Sequence, residues 1–103
     1  KELNVIGVHA FYLPKDESKL VYTRNFAPVV GIREEAATGT ANGALLYYLK
    51  KNKLLKDNNI IAMQGEALNR PSRIHLKIEE CCGRQIVKVG GTAKIVMEGI
   101  LCI

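Results

Sequence analysis

The chain has 103 residues, a length that fits one domain with a modest hydrophobic core. Apolar residues make up 48% and charged residues 24%, a composition that excludes a disordered chain. The formal net charge is +5, but aromatic residues do not alternate with the basic ones, so we expect no nucleic-acid binding. No apolar run approaches the ~18 residues of a membrane helix. We expect no membrane association and a cytoplasmic location.

The three cysteines do not have the spacing of a metal site. Cys81 and Cys82 are adjacent, and Cys102 lies near the end of the sequence. Neighbouring residues in a strand point to opposite faces, so the adjacent pair cannot hold one metal ion as a C-x-x-C pair does. We therefore expect reduced, partly buried thiols and no metal site.

Two strands are predicted in the first part of the chain. The segment LNVIGVHAFYL (3–13) is rich in β-branched and aromatic residues, which favour strands. The segment PKDES (14–18) is typical of a turn. The alternating segment KLVYTRNFAP (19–28) predicts a second strand, which Pro28 ends because proline has no backbone N–H to donate.

A helix is predicted next, with Thr38 or Thr40 as a residue that can cap its start. Apolar residues recur at helical spacing at Ala41, Ala44, Leu45, Tyr48 and Leu49. Leu46 and Tyr47 widen this stripe almost to a full circle. The pattern predicts a helix that is buried on nearly every side and surrounded by sheet.

The remaining strands are predicted at 60–68 (ending near Gly65), 73–80, 85–91 and 92–103. In the second of these, Ile74, Leu76 and Ile78 should point inward and His75 outward. The segment CCGR should form a hairpin, and Gly90 with Gly91 should form a bend between the last two strands. Six strands and one helix predict an α+β fold in which a curled, mostly antiparallel sheet wraps around one central helix.

Several segments, in order along the chain, resemble the PhzF-like (phenazine biosynthesis-type) isomerases, which share the diaminopimelate epimerase fold. These are GVHAF (7–11), RNFAP (24–28), GIREEAATGTA (31–41), QGEALNRPSRI (64–74), VGGTA (89–93) and Gly99. The resemblance implies two similar domains, each a sheet curled around one helix, with the active site between them. It identifies residues 1–103 as a single domain that resembles the C-terminal half, with the N-terminal half absent. Since the sequence starts at Lys1, we expect a longer natural product or an excised piece.

A candidate site lies at the start of the predicted helix. Backbone N–H groups at a helix N-terminus, the close approach that Gly39 permits and the hydroxyl of Thr40 together suit a substrate carboxylate. By resemblance, Glu35 stands where the family has an Asp, and Thr40 stands where it has a Ser. The family uses those two residues, with groups from the other domain, to bind substrate and move a proton. Glu35 is therefore the predicted catalytic residue.

The motif departs from the family pattern in ways that leave the activity of Glu35 open. Glu35 is one methylene longer than Asp, and Ala36 replaces a Pro. A misplacement of ~1 Å can cost about 10²-fold in rate. Glu34 is interpreted as stabilising the helix start.

Several other residues have two or more interpretations. Gly90 and Gly91 can either approach the substrate or only bend the chain. Arg24 can pair with a substrate carboxylate or with Glu35, or it can be an ordinary surface residue. His9 is given a structural role.

The resemblance implies a metal-free, cofactor-free proton transfer on a small carboxylate-bearing metabolite. The principal base of the family, a Glu near a Gly-Asn-Pro motif, belongs to the other half, and this sequence has no Gly-Asn-Pro. We therefore expect the isolated chain to be inactive until it joins an N-terminal half-domain or second chain. The alternative is a stand-alone, non-catalytic binding module that self-associates as a homo-oligomer. The sequence does not identify the substrate.

Overall fold

The computed structural model of the chain describes residues 4–15 and 19–103, which contain one α-helix and six strands. The strands are β1 (Val8–Tyr12), β2 (Leu20–Ala27), β3 (Ile32–Glu35), β4 (Asn59–Gln64), β5 (Ser72–Cys81) and β6 (Arg84–Gly90). The helix α1 covers Gly39–Lys51, and two short 3-10 helices cover Pro28–Val30 and Glu66–Leu68. The predicted α+β class is confirmed.

The strands form one curled sheet in the order β1-β2-β4-β5-β6, with β3 also paired to β2. All pairs are antiparallel except β2 with β4, which are joined through α1 because parallel neighbours need a long crossover. Residues 20–23 of β2 pair with β4, and β3 pairs with β2 between Asn25 and Ala27. The sheet is a half-barrel around one helix, as predicted.

The core lies between α1 and the concave face of the sheet. Its most buried apolar residues are Val21, Leu46, Leu49, Ala62 and Leu76, each at most 2% exposed. Along β5, Ile74, Leu76 and Ile78 are buried while His75 is exposed, so the predicted alternation is confirmed. Removing these side chains from water is the main favourable contribution to folding.

The helix is less buried than its sequence predicts. Its buried residues are Asn42, Gly43, Leu45, Leu46 and Leu49, which lie on one side. Ala44 is exposed, and Tyr47 and Tyr48 are 44% and 51% exposed. The expectation of burial on nearly every side is wrong because the half-barrel covers only one side of α1.

The predicted strand at 92–103 is also wrong. These residues form no strand and lie exposed; Val96, Met97 and Ile100 are 93%, 89% and 95% exposed. An apolar segment of this kind becomes a strand only beside a sheet edge that can pair with it. In the ranges 4–15 and 19–103, no strand pairs with it.

Other predicted boundaries differ at the first strands. The first strand begins at Val8 rather than residue 3, and β3 was not predicted at all. Residue 3 of that predicted strand and residues 16–18 of the predicted turn lie outside the described residues. No helix in the described part of the chain is long and apolar enough to cross a membrane. The cytoplasmic location stays a prediction.

The predicted hairpin between β5 and β6 is confirmed, but the predicted orientation of its cysteines is wrong. Cys81 ends β5, while Cys82 lies in the turn with a positive φ of 54°. The backbone of Cys82 leaves the extended conformation, so strand alternation no longer separates the two side chains. Both thiols are exposed, and their sulfur atoms lie 3.6 Å apart.

Candidate functional site

The candidate site is the connection from β3 into α1. Glu35 ends β3, and the chain passes through Ala36 and Ala37 to Thr38, the N-cap residue of α1. Thr38 stands at the predicted cap position, but its side chain does not cap the helix. Instead the Thr38 hydroxyl donates a hydrogen bond of 2.6 Å to Oε2 of Glu35. One oxygen of the carboxylate is therefore hydrogen-bonded to a residue three positions later in the chain.

The first turn of α1 contains no acidic residue and receives no side-chain cap from Thr38. Gly39 and Thr40, at its start, are exposed. A helix N-terminus has backbone N–H groups without intrahelical partners and a partial positive charge. An anionic group arriving from outside is therefore favoured at this position.

Gln64, at the end of β4, fixes the direction of the bond between Thr38 and Glu35. Its side chain is fully buried, and its Nε2 donates to Thr38 Oγ1 at 2.9 Å and to the backbone carbonyl of Glu35 at 3.0 Å. Since the Thr38 hydroxyl accepts from this amide, its own single proton is free for Glu35. The arrangement makes Oε2 of Glu35 the acceptor.

Asn42 fixes the orientation of Gln64 in turn. Its Nδ2 donates to the backbone carbonyl of Thr38 at 2.7 Å and to Oε1 of Gln64 at 2.8 Å. A backbone carbonyl can only accept, so the amide of Asn42 has one orientation. The amide of Gln64 then has one orientation as well, and every hydrogen-bond direction up to Glu35 follows.

His9 of β1 completes what we call the helix-start network: His9, Glu35, Thr38, Asn42 and Gln64. Its Nε2 lies 2.9 Å from Oδ1 of Asn42, and its Nδ1 lies 3.0 Å from Oδ1 of Asn25. Because both N–H groups of the Asn42 amide are used elsewhere, Oδ1 is an acceptor and Nε2 of His9 carries a proton. His9 thus ties the first two strands to the helix start.

Arg24 and Glu34 form a separate pair beside this network. The Arg24 guanidinium donates two hydrogen bonds to the Glu34 carboxylate, from Nε to Oε2 at 3.1 Å and from Nη2 to Oε1 at 2.8 Å. The Cζ atom of Arg24 also lies 4.9 Å from the centre of the Phe26 ring. The side chain of Glu34 is only 9% exposed, against 54% for Arg24. The suggested pairing of Arg24 with Glu35 is therefore wrong.

The Arg24–Glu34 pair also corrects the role predicted for Glu34. Glu34 lies on β3 and not in the first turn of α1, so it does not stabilise the helix start from there. The hydrogen bonds from Arg24, helped by its charge, hold the pKa of Glu34 below its usual value, while desolvation opposes them. The same hydrogen bonds and charge raise the pKa of Arg24.

The predicted substrate-binding glycines, Gly90 and Gly91, lie at the end of β6 and directly after it. Val89 of β6 packs against Gly39, since a Cβ placed on Gly39 would lie 3.6 Å from its Cγ1. Gly90 follows directly, pairs with His75 and ends β6. A Cβ on Gly90 would meet nothing within 4 Å, so this surface is open. A substrate contact of Gly90 or Gly91 stays a prediction.

Sequence reasoning missed the two buried amides, although a signal for each was present. Gln64 follows Ile60 and Ala62 at a spacing of two, on the face of β4 that points into the core. Asn42 is a polar residue inside an almost wholly apolar helix. Buried polar side chains are almost always hydrogen-bonded, so such positions indicate a polar partner nearby.

Comparisons with known proteins identify the family of the chain. Residues 1–99 match the family described as phenazine biosynthesis-like protein. The chain belongs to the PhzF-like family. The resemblance inferred from short segments is therefore confirmed.

Three curated relatives are longer than this chain. An uncharacterized isomerase of Deinococcus radiodurans is 39% identical over 97% of this chain and 33% of its own length. An uncharacterized isomerase of Clostridium acetobutylicum is 37% identical over 92% of this chain and 33% of its own length. The trans-2,3-dihydro-3-hydroxyanthranilate isomerase of Pseudomonas aeruginosa is 34% identical over 75% of this chain and 28% of its own length. The chain spans about a third of the length of these relatives.

The arrangement supplies one carboxylate and one anion-binding helix end. Within the residues that the structure describes, no three His, Cys, Asp or Glu side chains are grouped to hold a metal ion. Acid–base catalysis on carbon needs a group that takes a proton and one that gives it, both within reach of substrate. Glu35 can serve as one of them.

Proposed function

We propose that the chain is the C-terminal domain of a PhzF-like isomerase or epimerase and provides one side of its active site. The reaction is a cofactor-independent proton transfer on a small, carboxylate-bearing metabolite. The observation that carries the proposal is the Glu35 carboxylate, held by Thr38 beside the uncapped N-terminus of α1.

The substrate carboxylate binds at the start of α1. The exposed backbone N–H groups of Gly39 and Thr40 donate to it, and the Thr40 hydroxyl adds a third donor. Gly39 has no Cβ that would hold the ligand away from the backbone. Gly90 ends β6 directly after Val89, which packs against Gly39, and Gly90 and Gly91 have no Cβ that would keep a substrate away from the backbone there.

Glu35 transfers or orients the proton. Thr38 donates to Oε2, and Oε1 is the oxygen that we assign to the proton transfer. The buried amides behind Thr38 orient its hydroxyl toward the carboxylate, and this hydrogen bond limits the freedom that the extra methylene of Glu adds relative to Asp. A positioned carboxylate of this kind contributes about 10²–10⁴-fold to proton transfer.

The second acid–base group comes from an N-terminal half-domain or a second chain. Two surfaces support such a partner: the exposed face of α1 around Tyr47 and Tyr48, and the exposed apolar segment 92–103. Large contiguous apolar surfaces usually mark contact sites between proteins or domains. The isolated chain is therefore inactive.

The name of one relative supports the proposed substrate class. The Pseudomonas aeruginosa relative is named an isomerase of trans-2,3-dihydro-3-hydroxyanthranilate, which carries a carboxylate. We propose the same chemical class for this protein. A place in phenazine biosynthesis itself is a further proposal that the two uncharacterized isomerases neither favour nor oppose.

The test uses the full-length protein that contains this chain. It is incubated in D₂O with a set of small carboxylic acids that have an acidic C–H, and deuterium uptake is followed by NMR. Exchange should fall about 10²-fold or more in Glu35→Gln, because the carboxylate can no longer take a proton. Glu34→Gln is the matched control and should retain exchange. Equal exchange by Glu35→Gln and the parent protein would contradict the proposal.

The exposed apolar surfaces also favour a second candidate, a non-catalytic half-domain that self-associates through them. A native mass measurement separates the two. Particles that contain only copies of this chain, with no exchange activity, support the self-associating module. Particles that also contain the missing part of the protein support the isomerase.

A further inference from the structure

The tip of the β5–β6 hairpin brings two thiols together. Cys81 pairs with Arg84 at the end of the ladder, and the two turn residues Cys82 and Gly83 have positive φ values of 54° and 78°. Two-residue hairpin turns with positive φ at both central positions normally carry Asn, Asp or Gly there. Cysteine in the first of these positions is unusual, since a side chain is disfavoured in the left-handed region.

The left-handed conformation of Cys82 sets the position of its side chain. The Sγ atoms of Cys81 and Cys82 are 3.6 Å apart, and both residues are exposed. A reagent in solution can therefore reach both thiols at once. A strained backbone position that brings two reactive groups together is a reasonable starting point for a functional hypothesis.

A direct disulfide is a poor product for this pair. Disulfides normally join Cα atoms about 4.4–6.8 Å apart. Neighbouring Cα atoms across a trans peptide are only about 3.8 Å apart, so a disulfide between them is strained and easily reduced. A larger atom that bonds to both sulfurs avoids this strain, because the sulfurs need not approach to bonding distance.

A polarisable atom that binds sulfur strongly and needs only two thiolate ligands fits this geometry. Thiolates prefer soft partners, whereas zinc and iron–sulfur sites need three or four protein ligands. Nowhere in the described ranges do three His, Cys, Asp or Glu side chains group for such a metal. Trivalent arsenic with one organic substituent forms two bonds to sulfur and needs no third protein ligand.

We propose that Cys81 and Cys82 form a chelating site for trivalent arsenicals. With phenylarsine oxide, the two S–H bonds break and two As–S bonds form. The oxygen of the arsenical leaves with both protons as one water molecule. Arsenic remains trivalent, so the step requires no oxidant or reductant.

This thiol site is separate from the helix-start network. Ser72, at the first residue of β5, donates to the backbone carbonyl of Ala36 beside Glu35. Cys81 ends the same ten-residue strand, and a strand of this length spans roughly 30 Å. Arsenical binding at the tip therefore does not depend on the proposed isomerase activity.

The experiment uses this chain, which contains three cysteines, and one equivalent of phenylarsine oxide. Intact mass should show one adduct, and thiol titration should show that two of the three thiols are lost. The adduct should resist glutathione and be released by the dithiol dithiothreitol. This difference is measured without any variant, so it remains informative even if a variant fails to fold.

Single substitutions then assign the site. Cys81→Ser and Cys82→Ser should each lose the adduct at roughly 100-fold lower glutathione concentration, because the second bond is intramolecular and has a high effective concentration. Cys102→Ser is the matched control and should bind like the parent. Equal glutathione sensitivity in all four proteins, or an adduct that glutathione removes as readily as dithiothreitol, would overturn the proposal.

Discussion

The helix-start network and the C-terminal segment 92–103 reverse the usual relation between polarity and burial. Asn42 and Gln64 are fully buried although they are polar. Val96 and Ile100 are almost fully exposed although they are apolar. The buried amides have their hydrogen-bond partners within the chain, while the apolar segment has no strand beside it in the part of the chain described here. Burial is therefore decided by the available partner as much as by residue type.

The largest effect on stability should come from a substitution in the core, compared with one in the exposed segment 92–103. Leu46→Ala removes a fully buried side chain of α1 and should lower the free energy of unfolding by about 3 kcal/mol, because a cavity remains. Ile100→Ala should change it by less than about 0.5 kcal/mol, as is usual for exposed positions. Urea denaturation of the isolated chain measures both. A large loss in Ile100→Ala would show that the segment is packed in this chain after all.

The next effect concerns the buried amides. Gln64→Leu leaves Nδ2 of Asn42 and Oγ1 of Thr38 without one of their partners, and should lower the free energy of unfolding by about 2 kcal/mol. Met63→Leu, a half-buried neighbour on β4, is the matched control and should lose less than about 1 kcal/mol. If Gln64→Leu is as stable as the control, the network does not stabilise the fold and only orients Glu35.

A pair of glycines separates steric clash from backbone strain next to the site. Gly65 and Gly83 have similar positive φ values of 86° and 78°. A Cβ on Gly65 would meet the carbonyl oxygens of Arg70 and Ala36, the latter at 2.6 Å, whereas one on Gly83 would meet nothing within 4 Å. Gly83→Ala should therefore lower the free energy of unfolding by about 1 kcal/mol, from backbone strain alone.

Gly65→Ala should cost about 2 kcal/mol more than Gly83→Ala, since clash with the backbone adds to the strain. It should also displace Ala36 and with it the Glu35 carboxylate. Thermal unfolding of the two variants gives the difference in stability. Deuterium uptake by the carboxylic acids, measured with the full-length protein, shows whether the displacement of Glu35 affects proton transfer. An equal loss of stability in the two variants would mean that the backbone around Ala36 can move away from the new Cβ at little energetic cost.

The smallest effect is the pH dependence of the Arg24–Glu34 pair. The pKa of Glu34 is lower in the folded protein than its ordinary value of 4.5. Its contribution to stability is therefore complete above about pH 4.5 and is lost as the pH falls through the lower folded pKa. The urea midpoint of Glu34→Gln should fall less between pH 5 and pH 3 than that of the parent chain. Glu80→Gln, an exposed change on β5, is the control for a general charge effect.

Local periodicity was sufficient to predict much of the fold. The alternation of Ile74, Leu76 and Ile78 in β5 depends only on the two-residue period of a strand, so the structure confirms it. The short strand β3 has no such pattern, since its sequence is Ile-Arg-Glu-Glu. It forms because β4 pairs with only the first half of β2 and leaves the second half free.

The candidate site was predicted only as far as its sequence neighbours. Glu35, Gly39 and Thr40 are close in the chain, so the motif alone brings them together. Gln64 and His9 reach the site through the parallel pairing of β2 with β4 and the antiparallel pairing of β1 with β2. Such pairings depend on the whole topology, and no pattern within a short segment specifies them. The position of the Cys82 side chain likewise depends on a single backbone angle.

The long sequence separations in the helix-start network have a consequence for the order of events during synthesis. His9 and Asn42 are 33 residues apart, and Glu35 and Gln64 are 29 residues apart. The helix and β2 leave the ribosome well before Gln64 does, so during that interval the buried face of Asn42 has no strand β4 to cover it. The β5–β6 hairpin, by contrast, closes between neighbours and can form as soon as it emerges. Glu35 is thus oriented only after β4 has been made and inserted beside β2.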